Sequence, residues 1–155
     1  MRKFLCVVFI MIAFASAAFA MKNEPDGYGD VKWEDTAAAH GDKLKIVEGA
    51  GSVVSCIDPN EKLTFGSGQL KSVVYCFDEE GFASAELYFD LGENRANYDS
   101  VYRECVRKWG APSSMRAGKS GAKEYTWSGA RTFCLISEEG ATGQLSIMRN
   151  LDGVL

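Results

Sequence analysis

Cysteine is the first residue type to consider for chemistry in this chain, because several cysteines could bind a metal, exchange disulfides or form structural disulfides. The 155-residue sequence contains five cysteines, and Cys56, Cys76, Cys105 and Cys134 follow the N-terminal apolar run. None belongs to a C-x-x-C pair or lies near a histidine, so the usual spacing of a zinc site or a thiol–disulfide exchange site is missing. In an oxidising compartment, an even number of spaced cysteines predicts two disulfides. Three pairings are possible, and we expect Cys105 with Cys134, as a helix-to-sheet link, and Cys56 with Cys76.

The single histidine, His40, is the candidate for a general base near neutral pH. It follows three alanines at the end of a predicted short turn, where a solvent-exposed side chain is the simplest interpretation. With one histidine, and with the cysteines expected to be oxidised, a transition-metal site has too few ligands. The sequence therefore predicts no catalytic, cofactor-binding or metal-binding residue.

Carboxylates are the remaining acid–base groups, and paired carboxylates are what glycoside hydrolases use. The clustered acids lie in predicted turns, at residues 78–80 and 138–139, and beside a predicted cap, at residues 34–35, where turn formation, capping and solubility explain them. Glu86 lies between Ala85 and Leu87 on a predicted strand, so these reasons explain it least. A small hydrolase that uses Glu86 or a turn carboxylate is therefore an alternative hypothesis.

Tryptophan and tyrosine are more numerous than a small core requires, with three and six residues in the chain. If some of them lie together on an uncovered sheet face, they could bind a peptide, a glycan or an apolar ligand. The alternative is that they pack a helix onto the sheet. The candidates for a binding surface are Trp33, Tyr88, Tyr125 and Trp127.

The first twenty residues have the pattern of an export signal. Met1-Arg2-Lys3 is a short basic start, residues 4–15 carry no charge, and Ala18-Phe19-Ala20 is a small-x-small cleavage site. The strongly apolar part is shorter than the roughly 20 residues of a membrane-spanning helix, and Cys6 precedes most of it, which disfavours lipid anchoring. We therefore expect cleavage after Ala20, a mature chain that begins at Met21, and a periplasmic or secreted location without membrane insertion.

The charge balance argues against nucleic acid as a partner. The chain has 17 basic and 21 acidic residues, for a formal net charge of −4. Loss of Arg2 and Lys3 with the signal makes the mature chain more acidic still. Nucleic acids and anionic membrane surfaces are therefore disfavoured partners.

Apolar periodicity predicts the elements that must position these residues. One amphipathic helix is expected over residues 97–109, with Asn97 as its cap, and with Gly110 and Pro112 at its end. Its apolar face is expected to consist of Tyr98, Val101, Tyr102, Cys105, Val106 and Trp109. Short runs with a period of two, separated by turn-forming residues, predict strands. These runs are residues 43–48, 52–57, 62–65, 70–77, 82–91, 123–127, 131–137 and 144–149.

Together, these elements predict an α+β fold in which the helix packs on one face of an antiparallel β-meander. Residues 21–30 are expected to form an irregular leader, 31–149 a single domain and 150–155 a tail. Along 82–91, Ala83, Ala85, Leu87 and Phe89 form the uniformly apolar set and are expected to face the core.

Four short motifs occur in order along the mature chain: Val31-Lys32-Trp33, Tyr75-Cys76-Phe77, Trp109-Gly110-Ala111-Pro112 and Tyr125-Thr126-Trp127-Ser128-Gly129. This series resembles a family of small exported bacterial proteins of uncharacterised function, which share a W-G-x-P helix end and a Y-x-W-x-G strand. The helix end is more distantly similar to the small lipoprotein of the outer-membrane assembly machinery. The resemblance implies the fold and an envelope location, and it supplies no catalytic residues.

The sequence therefore predicts a non-enzymatic binding or interaction module of the bacterial cell envelope. Its partner would be an envelope protein or a small apolar ligand, and an exposed strand edge offers one route to a protein partner. The alternatives are the carboxylate hydrolase and a redox-active cysteine protein. Two close acids in a cleft would favour the hydrolase, whereas an aromatic patch beside a free edge would favour the binding module.

Overall fold

Twelve strands and one α-helix form the regular structure of residues 21–118 and 121–150, which are the residues that the computed structural model describes. The helix, α1, spans Ala96–Trp109, and short 3-10 helices span Ala37–His40 and Glu93–Arg95. The strands of the first half are β1 Gly27–Tyr28, β2 Val31–Lys32, β3 Lys45–Ala50, β4 Val53–Ile57, β5 Thr64–Phe65, β6 Gly68–Gln69, β7 Ser72–Asp78 and β8 Gly81–Asp90. The strands after the helix are β9 Ser114–Ala117, β10 Lys123–Ser128, β11 Thr132–Glu139 and β12 Thr142–Arg149.

The main sheet has eight strands in the order β3-β4-β7-β8-β12-β11-β10-β9, and β1–β2 and β5–β6 form two small separate sheets. All neighbouring strands of the main sheet are antiparallel. The predicted α+β class is confirmed, but the predicted simple meander is wrong. Because α1 carries the chain from β8 at the centre to β9 at the far edge, the last four strands run back towards the centre and β12 pairs with β8.

The helix and the N-terminal segment pack on the same face of the main sheet. We call this the inner face; it carries Leu87 and Leu145, which lie opposite each other on β8 and β12 and are both fully buried. The buried residues of α1 are Tyr98, Val101, Cys105 and Trp109, as the periodicity predicted. The Trp109 ring meets the ring of Trp127 on β10 with centroids 5.8 Å apart. These contacts place the hydrophobic core between α1 and the inner face.

Asn97 has a different role from the predicted helix cap. It lies inside the first turn of α1, and its side-chain amide donates to the backbone carbonyls of Gln69 and Asp90 at 2.9 and 2.7 Å. Its Oδ1 accepts from the Gln69 backbone N–H at 2.8 Å. Asn97 therefore ties the start of the helix to β6 and to the end of β8.

The core-facing set of β8 differs from the prediction at its first member. Ala85, Leu87 and Phe89 are fully buried as expected, but Phe82 is buried in place of Ala83. The pairing with β7 is irregular here, because Phe77 lies opposite Phe82 and the next pair is Cys76 with Ser84. The irregularity leaves Ala83 unpaired and returns Phe82 to the inner face.

Part of the sequence-based prediction falls on residues outside the described ranges. These are the predicted signal peptide at 1–20 and all but the first residue of the predicted tail at 150–155. Within the described part of the chain, no helix has both the length and the apolar character needed to cross a membrane.

Candidate functional site

The second face of the main sheet, which we call the outer face, carries Glu86 and Ser146 opposite each other on β8 and β12. No element of residues 21–118 and 121–150 packs against it, since α1 and the N-terminal segment lie on the inner face. Its apolar side chains, such as Val74 and Leu135, are only half-buried. The outer face is therefore a described surface that is open to a partner.

Glu86 lies in a hydrogen-bonded cluster at the centre of the outer face. Its Oε2 accepts hydrogen bonds from the side-chain amide of Gln144, at 2.8 Å, and from the hydroxyl of Ser146. The Gln144 amide also lies 3.2 Å from the Ser146 hydroxyl. No described residue donates to Oε1 of Glu86, so that oxygen can accept a hydrogen bond from a partner.

Tyr88 is next to Glu86 on the same face of β8 and pairs with Gln144 across the strands. Burial raises the pKa of Tyr88, and the nearby carboxylate of Glu86 raises it further. The phenol therefore stays protonated through the physiological range and can act as a hydrogen-bond donor. Tyr88 and Glu86 thus present an aromatic ring and a carboxylate side by side.

A groove of about 910 Å³ begins at Tyr88 and Gln144 and continues towards β9. Among its described lining residues, Glu124, Glu138 and Glu139 are acidic and Arg116 is basic. The Arg116 guanidinium is 2.6 Å from a carboxylate oxygen of Glu124, and Arg95 pairs with Glu138. Two of the three acids are thus paired with arginines, and the described groove retains an excess of one carboxylate, which favours a basic partner.

The spacing of the acids on the outer face does not fit a pair of hydrolytic carboxylates. Glu86 on β8 and Glu124 on β10 are separated by β12 and β11, and Glu124 lies two residues from Thr126, the β10 residue in register with Glu86. The usual strand spacing and rise per residue put their backbone positions about 16 Å apart. Asp90, four residues along β8, is about 13 Å away by the usual rise per residue. Glycoside hydrolases hold their two carboxyl groups about 5–9.5 Å apart. Neither acid is therefore placed to act with Glu86.

Only one of the four aromatic residues predicted to form a binding surface lies on the outer face, and it is Tyr88. Trp33 and Trp127 belong to the core, with 1% and 0% of their surface exposed. Tyr125 lies on the inner face, where its ring packs on Tyr102 of α1 with centroids 4.7 Å apart. The structure thus supports the packing alternative for three of the four residues.

The four cysteines of the described chain are all free thiols, contrary to the predicted two disulfides. Cys56 lies opposite Tyr75 on the inner face, whereas Cys76 lies opposite Ser55 on the outer face. A bond between Cys56 and Cys76 would require side chains that point in the same direction, so the described sheet argues against this predicted pair.

Cys105 and Cys134 are both buried between α1 and the sheet, where the predicted helix-to-sheet link would place them. Burial raises the pKa of both thiols, and the pKa of Cys134 is raised further by Cys105. Because the thiolate is the reactive form, these buried thiols are poorly suited to rapid redox cycling.

His40 is half-buried, in contrast to the exposed side chain that we expected. Its Nε2 lies 2.9 Å from a carboxylate oxygen of Asp35. A hydrogen bond from the Lys32 backbone N–H lowers the pKa of Asp35, and the interaction with His40 lowers it further. Within the described chain, no serine or cysteine side chain bonds His40, so it has no nucleophile to activate. The described residues also contain no cluster of three or more metal-ligating side chains.

A second cleft, of about 600 Å³, lies on the inner side between the N-terminal segment, β5 and the end of α1. Three of its apolar lining residues, Phe65, Trp109 and Ile147, are buried, and the rings of Phe65 and Trp109 pack with centroids 6.0 Å apart. Its Glu61 accepts a 2.5 Å hydrogen bond from the hydroxyl of Tyr75. Little apolar surface remains for a small apolar ligand, so the outer face is the stronger candidate site.

Sequence reasoning missed Gln144 and Ser146, the two residues that hold Glu86. Both lie in a predicted strand, and their alternation with the buried Leu145 and Ile147 indicated that they face the same side. The sequence did not indicate that this strand pairs with the strand that carries Glu86.

Comparison with known proteins found no matching family model, no matching curated protein and no matching solved structure. The resemblance to small exported bacterial proteins therefore stays a prediction.

Proposed function

We propose that this chain is a non-enzymatic binding module of the bacterial cell envelope, and that its outer face binds a basic, partly apolar segment of an envelope protein. The observation that carries the proposal is the Glu86 carboxylate. It lies at the centre of a face that no described element covers, and one oxygen is held by Gln144 and Ser146. The other oxygen has no donor among the described residues.

The chemistry around Glu86 suits a lysine or arginine side chain. A carboxylate oxygen accepts a charge-assisted hydrogen bond from either cation, and the Tyr88 ring can pack against the alkyl stem or the guanidinium plane. The half-buried Val74 and Leu135 can contact neighbouring apolar residues of the same segment. The excess carboxylate in the adjoining groove would attract further positive charge and increase the association rate.

The hydrolase alternative has weaker support. Its best acid, Glu86, has no second carboxylate at a suitable distance on the outer face, and His40 is bonded to Asp35. A single carboxylate whose hydrogen-bonding partners hold it in place is better suited to recognition. A binding face with a carboxylate at its centre would repel polyanions, which agrees with the expectation from net charge that nucleic acids and anionic membranes are poor partners.

Replacement of Glu86 by Gln should weaken the binding of basic peptides by about 10- to 100-fold, because a charge-assisted hydrogen bond contributes about 1.5–3 kcal/mol. Glutamine keeps the shape of the side chain and an oxygen that accepts from Ser146 and Gln144. The probes are labelled short peptides in which a central lysine, arginine, glutamine or glutamate is flanked by leucines. Fluorescence anisotropy gives the affinity of each peptide.

Glu79→Gln is the matched control, because it removes the same charge from an exposed turn away from the outer face. We expect the lysine and arginine peptides to bind best, more weakly as salt increases, and to be unaffected by Glu79→Gln. Equal affinity for the four peptides, or no difference between wild type and Glu86→Gln, would contradict the proposal. Turnover of a glycan substrate that Glu86→Gln abolishes would favour the hydrolase.

The envelope location is part of the proposal and has its own test. Met21 is buried in the core and its backbone nitrogen donates to the Ser128 carbonyl at 3.2 Å. An α-ammonium group created by cleavage after Ala20 would retain this donor. Intact mass of the protein purified from the envelope fraction should therefore give a chain that begins at Met21.

The same preparation, alkylated after denaturation without reductant, should add four alkyl groups because the four thiols are free in the fold. A retained segment 1–20 would contradict the location. A bond between Cys56 and Cys76 would contradict the described sheet, which directs these two side chains to opposite faces.

A further inference from the structure

The strand β3 forms one edge of the main sheet, and it is paired with β4 on one side only. All six of its residues are exposed, and its two central apolar side chains, Ile46 and Val47, are 69% and 55% exposed. Neighbouring Val53 on β4 is also exposed. Natural proteins usually protect an edge of this length and hydrophobicity, because its free N–H and C=O groups can pair with another strand.

An irregularity in β3 places Lys45 and Glu48 on the same face of the sheet. In a regular strand, residues three apart point to opposite faces. Here the register of pairing with β4 shifts between Ile46 and Glu48. As a result, Lys45 lies opposite Ile57 and Glu48 lies opposite Ser55. Ile57 and Ser55 are two residues apart on β4 and therefore share a face. The outer face at this edge therefore carries one positive and one negative side chain, whereas Ile46, which lies opposite Cys56, belongs to the inner face.

This order of charges is complementary to itself when two copies of the strand run antiparallel. If Lys45 lies opposite Glu48 of a second copy, then Glu48 lies opposite Lys45 of that copy, and Ile46 and Val47 meet at the centre. Each pair then joins a lysine to a glutamate on the same face of the sheet, which is the favourable cross-strand arrangement. The other edge strand, β9, has no acidic residue to balance Arg116.

We propose that β3 is a dimerisation edge, at which two copies of this chain pair their β3 strands antiparallel about a two-fold axis with Lys45 of each opposite Glu48 of the other. The two main sheets then form one continuous sheet, and an isologous contact of this kind closes after two copies. A short edge buries less area than a permanent interface, so we expect a reversible dimer with a Kd on the order of micromolar.

The inference is independent of the proposed peptide binding. A two-fold axis perpendicular to the sheet places both outer faces on the same side of the dimer and leaves both Glu86 clusters open. A partner with two basic segments would then gain avidity without a new contact.

Sedimentation velocity over a concentration series tests the pairing with charge exchange. Wild type should show a reversible monomer–dimer equilibrium. Lys45→Glu places two acids opposite each other, Glu48→Lys places two bases opposite each other, and each should weaken the dimer at least tenfold. An equimolar mixture of these two variants should restore it, because each strand is then opposite a strand of opposite charge. The double variant K45E/E48K should restore it as well.

The matched controls are Lys62→Glu and Glu79→Lys, which make the same charge changes at exposed positions outside β3 and should leave the equilibrium unchanged. A wild type that stays monomeric at every concentration would overturn the proposal, as would a dimer that the β3 exchanges do not affect. Open-ended polymers would also overturn it, because they would indicate pairing of β3 with β9.

Discussion

Trp33→Ala is expected to lower the free energy of unfolding by about 3–5 kcal/mol, the usual cost of deleting a buried tryptophan ring. The Trp33 ring stacks on Phe82 with centroids 5.1 Å apart and an interplanar angle of 20°. Its indole N–H donates to the Pro25 carbonyl at 3.3 Å. The residue therefore attaches the N-terminal segment to the inner face of the sheet. Urea denaturation followed by circular dichroism measures the loss.

Thr132→Val is the companion variant, because it removes the hydrogen bonds of this site and keeps the shape. The Thr132 hydroxyl donates to the Pro25 carbonyl at 2.7 Å and lies 3.3 Å from the Trp33 indole nitrogen. Its loss should cost about 1–2 kcal/mol. If Trp33→Ala cost no more than Thr132→Val, the ring would not be a core element, and the prediction that Trp33 forms a binding surface would regain support.

Patterns of apolar residues along the sequence predicted the helix and the buried face of β8, because both depend on residues that are close in sequence. The apolar period along 97–109 predicted α1 and its buried face, including Val101 and Trp109, because helix packing repeats every three to four residues. Alternation along β8 predicted the burial of Leu87 and Phe89 for the same kind of reason. These patterns depend only on residues that are close in sequence.

Strand order was not predictable in the same way, because pairing across the sheet depends on residues far apart in sequence. Nothing near β12 indicates that it returns to β8 instead of continuing a meander. The Glu86 cluster depends on this return, since its partners Ser146 and Gln144 are 60 and 58 residues away. Glu86 could be recognised as unusual from the sequence, but its environment could not.

The aromatic candidates show why residue type alone was insufficient. Trp127 and Tyr125 lie two residues apart on β10 and therefore share a face, but that face is the one covered by α1. Tyr88 shares its face with Glu86, and the alternation along β8 placed both opposite to the apolar set. The alternation along β8 and the polar character of Glu86 on the same face therefore distinguish Tyr88 from the buried aromatic residues. Amino-acid composition alone does not make this distinction.

Arg149→Met is expected to lower the free energy of unfolding by about 2–4 kcal/mol, because the side chain connects three segments through charge-assisted hydrogen bonds. Its guanidinium donates to the carboxylate of Asp78 at 2.8 and 3.0 Å and to the Glu80 carbonyl at 3.0 Å. It also donates to the Trp33 carbonyl at 3.3 Å. Methionine retains an apolar stem of similar length but leaves Asp78 without a cation.

Arg131→Met is the control, since Arg131 and its partner Glu34 form an exposed ion pair and such pairs contribute less than about 1 kcal/mol. Arg149→Lys should fall between the two methionine variants, because an ammonium group can pair with Asp78 but cannot reach the same set of acceptors with a planar fork. Equal losses in Arg149→Met and Arg131→Met would mean that Arg149 does not hold the end of β12 to the β7–β8 turn. The N-terminal segment would then be held by its other contacts, such as the packing of Trp33 and the hydrogen bond from Thr132 to the Pro25 carbonyl.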